Sequence, residues 1–159
     1  MTDEEKSQMN EENKRVVLRF IKAMGTSDPD TAAECLTPDA TTLAKGFGKF
    51  AGIRHYERII ATIAVFKQLV PSGLSPVVHT ITAEDDRVTV EFEGEATLAN
   101  GASYCNQYCM VFTLLNGRIR HVNEYFCTKL ADEVLYPVVA AFEQQQAKNL
   151  EQGVETRRP

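Results

Sequence analysis

The chain has 159 residues, of which 43% are hydrophobic and 25% charged, with a formal net charge of −5. That length buries a full core without metals or disulfides, and the acidic balance excludes a nucleic-acid footprint, which needs a basic stripe that Arg157-Arg158 alone does not make. Met1 to Arg15 is polar and acidic, unlike a secretory leader, and no apolar run reaches membrane-spanning length. The expectation is a single cytoplasmic domain over residues 1–159, with Cys35, Cys105, Cys109 and Cys127 as free thiols.

In chain order, residues 1 to about 12 read as a solvated, frayed end. Val16, Val17, Phe20, Ile21 and Met24 then recur at helical spacing, and Gly25 stops the helix. Asp28-Pro29 opens a short second helix with an N-cap carboxylate and a first-turn proline, ending near Thr37-Pro38. Ala40 to Lys45 reads as a strand, and Gly46, Gly48 and Gly52 mark a loop. Tyr56, Ile59, Ile60, Ile63, Phe66 and Val70 define an amphipathic helix that Pro71 and Gly73 end.

From there the period changes from about 3.6 to about 2. Strands are expected over Val77 to Thr82, Arg87 to Leu98, Tyr104 to Leu115 and Arg118 to Cys127. Asn100-Gly101 and Asn116-Gly117 supply the positive φ that tight hairpins need, so the last three strands form an antiparallel meander. A final helix runs from Ala131 to about Leu150, kinked or divided at Pro137, and residues 151–159 read as disordered. Segregated helices and a mostly antiparallel sheet make the fold class α+β.

Three sets of residues stand out. Glu91, Glu93 and Glu95 alternate with Val90, Phe92 and Gly94, so the acids share one strand face, which either meets water or lines a pocket. Glu124 shares a face with Val122 and Phe126, the pattern of a pocket lining, or of an ion pair with Arg118 or Arg120. Tyr104, Asn106, Tyr108, Met110 and Phe112 share a face of the strand between. Cys105, Cys109, His121 and Cys127 share the opposite parity, but without a short Cys-x-x-Cys spacing buried thiols are favoured over a metal site. His79 is a candidate base or a structural histidine, and His55 has no evident role. No phosphate loop, dinucleotide fingerprint or serine elbow is present.

Asn116-Gly117-Arg118-Ile119 followed by Asn123-Glu124-Tyr125-Phe126 resembles the closing strand of SnoaL-like and ketosteroid-isomerase-related proteins. Arg87 to Glu91 resembles their acidic strand, and Gly101, Tyr104, Asn106 and Tyr108 the strand between; the likeness spans roughly residues 13 to 136. It implies the nuclear transport factor 2-like cone, a curved, mainly antiparallel sheet wrapped around helices. It also implies a pocket for a small hydrophobic molecule, no cofactor, and a homodimer formed through the outer sheet face.

On that resemblance Glu91 and Glu93 point inward and, with the two Asn-Gly turns fixing the register, meet Glu124 beside Asn106 and Tyr108. Glu91, Glu93, Glu124 and Tyr108 are then the candidate catalytic groups. Asn106, Tyr104, Phe126, Val122, Ile63, Leu69, Phe20 and His79 are candidate substrate contacts. The implied dimer face uses Val88, Val90 and Phe92 with Val111 and Tyr125. Limonene-epoxide hydrolase, a relative, carries an Asp-Arg-Asp set whose positions fall on Glu93, Glu91 and Glu124, so its arginine is missing; its first-strand Tyr and Asn fall near Thr42 and Ala44, and neither is kept. The reading is an acid-base enzyme, against a ligand-binding module or a structural partner domain, and a cavity with a strongly raised carboxylate pKa selects the enzyme.

Overall fold

A computed structural model describes residues 1–155. Its elements are α1 (Asp3–Gly25), α2 (Pro29–Cys35), β1 (Leu36–Ala44), β2 (Gly52–His55), α3 (Tyr56–Leu69), β3 (Ser75–Glu84), β4 (Arg87–Thr97), β5 (Ser103–Leu115), β6 (Arg118–Phe126), α4 (Thr128–Leu130) and α5 (Tyr136–Glu155). The strands form one curved, unclosed sheet in the order β2-β1-β6-β5-β4-β3. Only β1 and β6 run parallel; every other neighbouring pair is antiparallel. This is the expected α+β cone. Val17, Phe20 and Ile21 of α1 and Ile59 and Ile63 of α3 pack on the inner sheet residues Val88, Val90, Phe92, Phe112 and Val122. Among the described residues no helix is long and apolar enough to cross a membrane.

The first and last helices both extend beyond the expected bounds. The segment 1–12 is not frayed: Thr2 and Glu5 form a reciprocal capping box, and three acids in the first turn favour its dipole, so α1 starts at Asp3. At the other end α5 passes the expected stop and runs to Glu155, while residues 156–159 lie outside the described residues. Pro137 does divide the last helix. Ala131–Leu135 forms a π-turn, in which the Tyr136 N–H donates to the Ala131 carbonyl, before α5 begins.

The register of the β4–β5 hairpin decides which side chains enter the cone. A two-residue Asn100-Gly101 loop would set Ala99 opposite Ala102, bringing Glu93 against Tyr108. Instead Thr97 faces Ser103, the Gly101 N–H donates to the Leu98 carbonyl, and the Leu98 N–H donates to the Ala102 carbonyl. The loop therefore has three residues, Ala99 to Gly101, with Gly101 (φ 83) in the left-handed region. That single-residue difference pairs Phe92 with Tyr108 and Glu93 with Gln107. Val88, Val90 and Phe92 turn inward and Glu91, Glu93 and Glu95 outward. The pocket placement of Glu91 and Glu93 is thereby corrected. So is the dimer face expected from Val88, Val90 and Phe92, which lie in the core; Val111 and Tyr125 do stay on the outer face.

The β5–β6 hairpin behaves differently. Asn116 (φ 51) and Gly117 (φ 74) make a true two-residue turn, with Leu115 opposite Arg118. Continued regularly, that register would face Glu124 outward. Leu114 pairs with Ile119 but Thr113 pairs with His121, so Arg120 is an extra residue, and this β-bulge turns Val122, Glu124 and Phe126 inward.

Gly25, at the end of α1, lies against the loop before β3, and the Leu74 N–H donates to its carbonyl. A Cβ there would overlap the Leu74 carbonyl oxygen, which is backbone and cannot swing aside. Gly25→Ala is expected to cost about 1–3 kcal/mol in urea denaturation; an unchanged midpoint would show that the loop yields freely.

Candidate functional site

A cavity of about 800 Å³ opens between the inner sheet face, α3 and the last helix. The sheet contributes Thr42 and Ala44 from β1, Arg54 from β2, Tyr104, Tyr108 and Met110 from β5, and Glu124 and Phe126 from β6. Ile59, Ile63, Phe66 and Leu69 of α3 form one wall; Leu135, Tyr136, Val139 and Phe142 form another. A smaller recess of about 180 Å³ continues from it toward Leu74, Phe92 and Ala96.

Six of the expected residues line this cavity: Glu124, Tyr108, Tyr104, Phe126, Ile63 and Leu69. Asn106 is fully buried behind it. Its Nδ2 donates to the Tyr104 hydroxyl at 2.8 Å and to the Cys127 carbonyl at 3.1 Å, and its Oδ1 accepts from the backbone N–H groups of Gln107 and Cys127. With all its bonds inside the protein, Asn106 ties the end of β6 to β5 and fixes Tyr104, and so is a positioning residue and not a ligand contact. Phe20 and Val122 are core residues: Phe20 meets Phe112 edge-on at 6.3 Å between ring centres, and Val122 is buried against the same cluster.

Glu91, Glu93 and His79 lie on the outside. Glu91 accepts a hydrogen bond from the Thr80 hydroxyl, and Glu93 sits 3.4 Å from His79 Nε2 on the exposed edge strand β3. None of the three lines the cavity. Of the outer-face thiol and histidine set, His121 is engaged with the Thr41 hydroxyl and Asn123 Oδ1.

Glu124 is thus the single expected carboxylate that reaches the interior. Burial holds its pKa above the ordinary carboxylate range, and the Arg54 charge opposes that shift more weakly. Burial likewise raises the phenols of Tyr108 and Tyr104 above the usual tyrosine value, keeping both neutral as hydrogen-bond donors. Tyr108 is clamped by Phe92, stacked at 4.9 Å with 15° between planes.

Arg54 was not foreseen, and Thr42 was named only as a position near which a relative's site residue falls and is not kept. Arg54 lies on β2, in the glycine-rich stretch read as a loop, and is paired in register with Thr42. The period-2 pattern Ile53-Arg54-His55, with Ile53 exposed and Arg54 half-buried, was too short to stand out. At the rim, Arg58 pairs with Glu143 at 3.6 Å, and Lys49 Nζ lies 4.3 Å from the centre of the Tyr136 ring.

The sequence profile of the SnoaL-like domain family matches residues 17–122. No curated protein sequence matches significantly. Several solved structures are similar. Bal32a, from a soil-derived mobile gene cassette, is 25% identical with a TM-score of 0.70, over 80% of this chain and 98% of its own. A nuclear transport factor 2-like protein of Burkholderia pseudomallei K96243 is 19% identical with a TM-score of 0.67, over 78% and 97%. An epoxide hydrolase of Mycobacterium tuberculosis, of the limonene-epoxide-hydrolase-like type, is 21% identical with a TM-score of 0.64, over 86% and 98%. With two thirds of its length matched by that profile and the cone on the page, this chain belongs to the SnoaL-like domain family and has the nuclear transport factor 2-like fold.

Proposed function

We propose that the protein is a cofactor-independent acid-base enzyme acting on a small, largely apolar carbonyl compound held in the cavity. The observation that carries this is Glu124: a desolvated carboxyl with a raised pKa, facing a ligand-sized space beside a neutral phenol. A carboxylate whose pKa is raised by burial is a stronger base than an exposed one.

In the proposed step the Glu124 carboxylate removes a proton from the carbon next to the carbonyl. The C–H pair moves into the new C=C bond and the carbonyl electrons onto oxygen. Tyr108 donates a hydrogen bond to that enolate oxygen. The Glu124 carboxylic acid then returns the proton at the same or a conjugated carbon, completing an isomerisation or exchange with no other reagent. Hydrolysis of an epoxide by paired acids is less well supported. The inward positions of β4 are Val88, Val90, Phe92, Gly94 and Ala96, which give neither the second acid nor the cation.

The test is proton exchange. Enolisable aryl and alicyclic ketones that raise the melting temperature are incubated in D₂O, and loss of the α-proton signal is followed by NMR. Exchange above the protein-free rate is expected, and Tyr108→Phe should slow it roughly 10²- to 10³-fold. Bound ketones that exchange no faster than in buffer would leave a binding module in place of an enzyme.

A further inference from the structure

We infer that the natural ligand is an organic monoanion, a largely apolar carboxylic acid whose carboxylate docks on the Arg54 guanidinium and the Thr42 hydroxyl. The catalytic part of this picture, in which the same ligand also carries an enolisable ketone, rests on the acid-base reading above; the binding part does not.

Arg54 is half-buried on the inner sheet face and lines the cavity. One of its N–H groups donates to the Phe50 carbonyl at 3.1 Å. Among the described residues no carboxylate lies within ion-pair distance of it, although its charge reaches Glu124, whereas Arg58, which also lines the cavity, is paired with Glu143. A guanidinium has five donors in a rigid fork that matches a carboxylate edge-on. Four of those donors are left over, in a chain whose net charge is −5 and which has acids to spare.

Thr42 is a second, independent observation. It is 4% exposed as a residue and its side chain lines the same cavity as Arg54. Thr42 sits directly opposite Arg54 in the β1–β2 pairing, so both can address the same two oxygen atoms.

The remaining space sets the rest of the ligand. Two residues along β1 from Thr42, Ala44 stands opposite Glu124. Strand geometry puts the backbones of Thr42 and Glu124 roughly 8 Å apart. A carboxylate on Arg54 therefore leaves the next carbons of the ligand facing Glu124. Beyond them the recess is bounded by Leu74, Phe92 and Ala96, which offers an apolar end nothing to hydrogen-bond.

Calorimetric titration with matched pairs tests the assignment: 3-phenylpropanoate, 5-phenylpentanoate and 2-naphthylacetate, each against its primary amide. The acids are expected to bind at least tenfold more tightly than the amides. Arg54→Gln should bring each acid to within about twofold of its amide, with a far-ultraviolet circular dichroism spectrum like that of the wild type showing that the variant is folded. Arg54→Lys keeps the charge but not the fork, and should retain only a few-fold preference. Amides that bind as well as acids, a preference that survives Arg54→Gln, or no measurable acid binding at millimolar concentration would each overturn the proposal. Because the readout is binding, failure of the exchange reaction leaves this result standing, and the reverse holds too.

Discussion

Glu124→Gln is expected to lower turnover by about 10²-fold or more while raising thermal stability at neutral and alkaline pH. The first effect follows from removing the group proposed both to take and to return the proton, a role worth about 10²- to 10⁴-fold. The second follows from burial. In the folded chain the Glu124 pKa is raised, because the cavity solvates its charge poorly. The folded state therefore binds this proton more tightly than the unfolded one. Stability from this group is complete below the unfolded carboxyl value, roughly 4.3, and is lost as pH climbs toward the folded value. Glutamine has nothing to ionise, so the melting temperatures should separate through that window and stay apart above it. Each kcal/mol so recovered is worth about 2–4 °C in a chain of this size. A variant as active as the wild type sinks the catalytic role. A variant whose melting difference does not change between pH 4 and pH 8 sinks the buried-acid description.

Much of the fold was legible because its signals are local. The amphipathic stripes of α1 and α3, the Asp28-Pro29 start, the period-2 strands and the Pro137 break all depend on near neighbours, and all recur in the structure. So did the grouping of Tyr104, Asn106 and Tyr108, and of Val122, Glu124 and Phe126, since faces within a strand follow from alternation alone. What failed was the relation between strands. Asn-Gly occurs twice, but one loop has two residues and the other three, and one residue moves a whole strand face from inside to outside. In β4 the sequence carried its own correction: Val88, Val90 and Phe92 against Glu91, Glu93 and Glu95 is a full-contrast alternation, and burying the apolar set outweighs a family likeness in the acids. In β6, two polar residues between Ile119 and Val122 are the mark of the bulge at Arg120. Arg54 was hidden by its setting, in a four-residue strand behind three glycines, where neither period nor propensity has room to show.

Phe92→Ala, with Glu91→Gln and Glu93→Gln as controls, tests that inversion of β4 directly. Phe92 is 2% exposed, packs in the main core and stacks face to face on Tyr108. Truncation removes a buried ring and leaves a cavity, at a cost of about 3–5 kcal/mol, a large share of the 5–15 kcal/mol that holds a typical domain together. Part of that loss is the ring–ring contact itself, about 0.5–1.5 kcal/mol. The same change frees Tyr108 to rotate, so exchange activity should fall even where the variant remains folded, at low temperature or with added stabilising salt. Glu91 and Glu93 lie on the other face, where their partners are the Thr80 hydroxyl and His79. Glu91→Gln and Glu93→Gln should each stay within about 0.5 kcal/mol of the wild type and leave exchange unaltered. Equilibrium urea unfolding of the three variants, read with the exchange assay, separates the two orientations. A costly Phe92→Ala with silent glutamines fixes the apolar face inside. A mild Phe92→Ala with an inactive Glu91→Gln or Glu93→Gln would put the acids back in the cavity and remove Glu124 from its position as the only sheet carboxylate there.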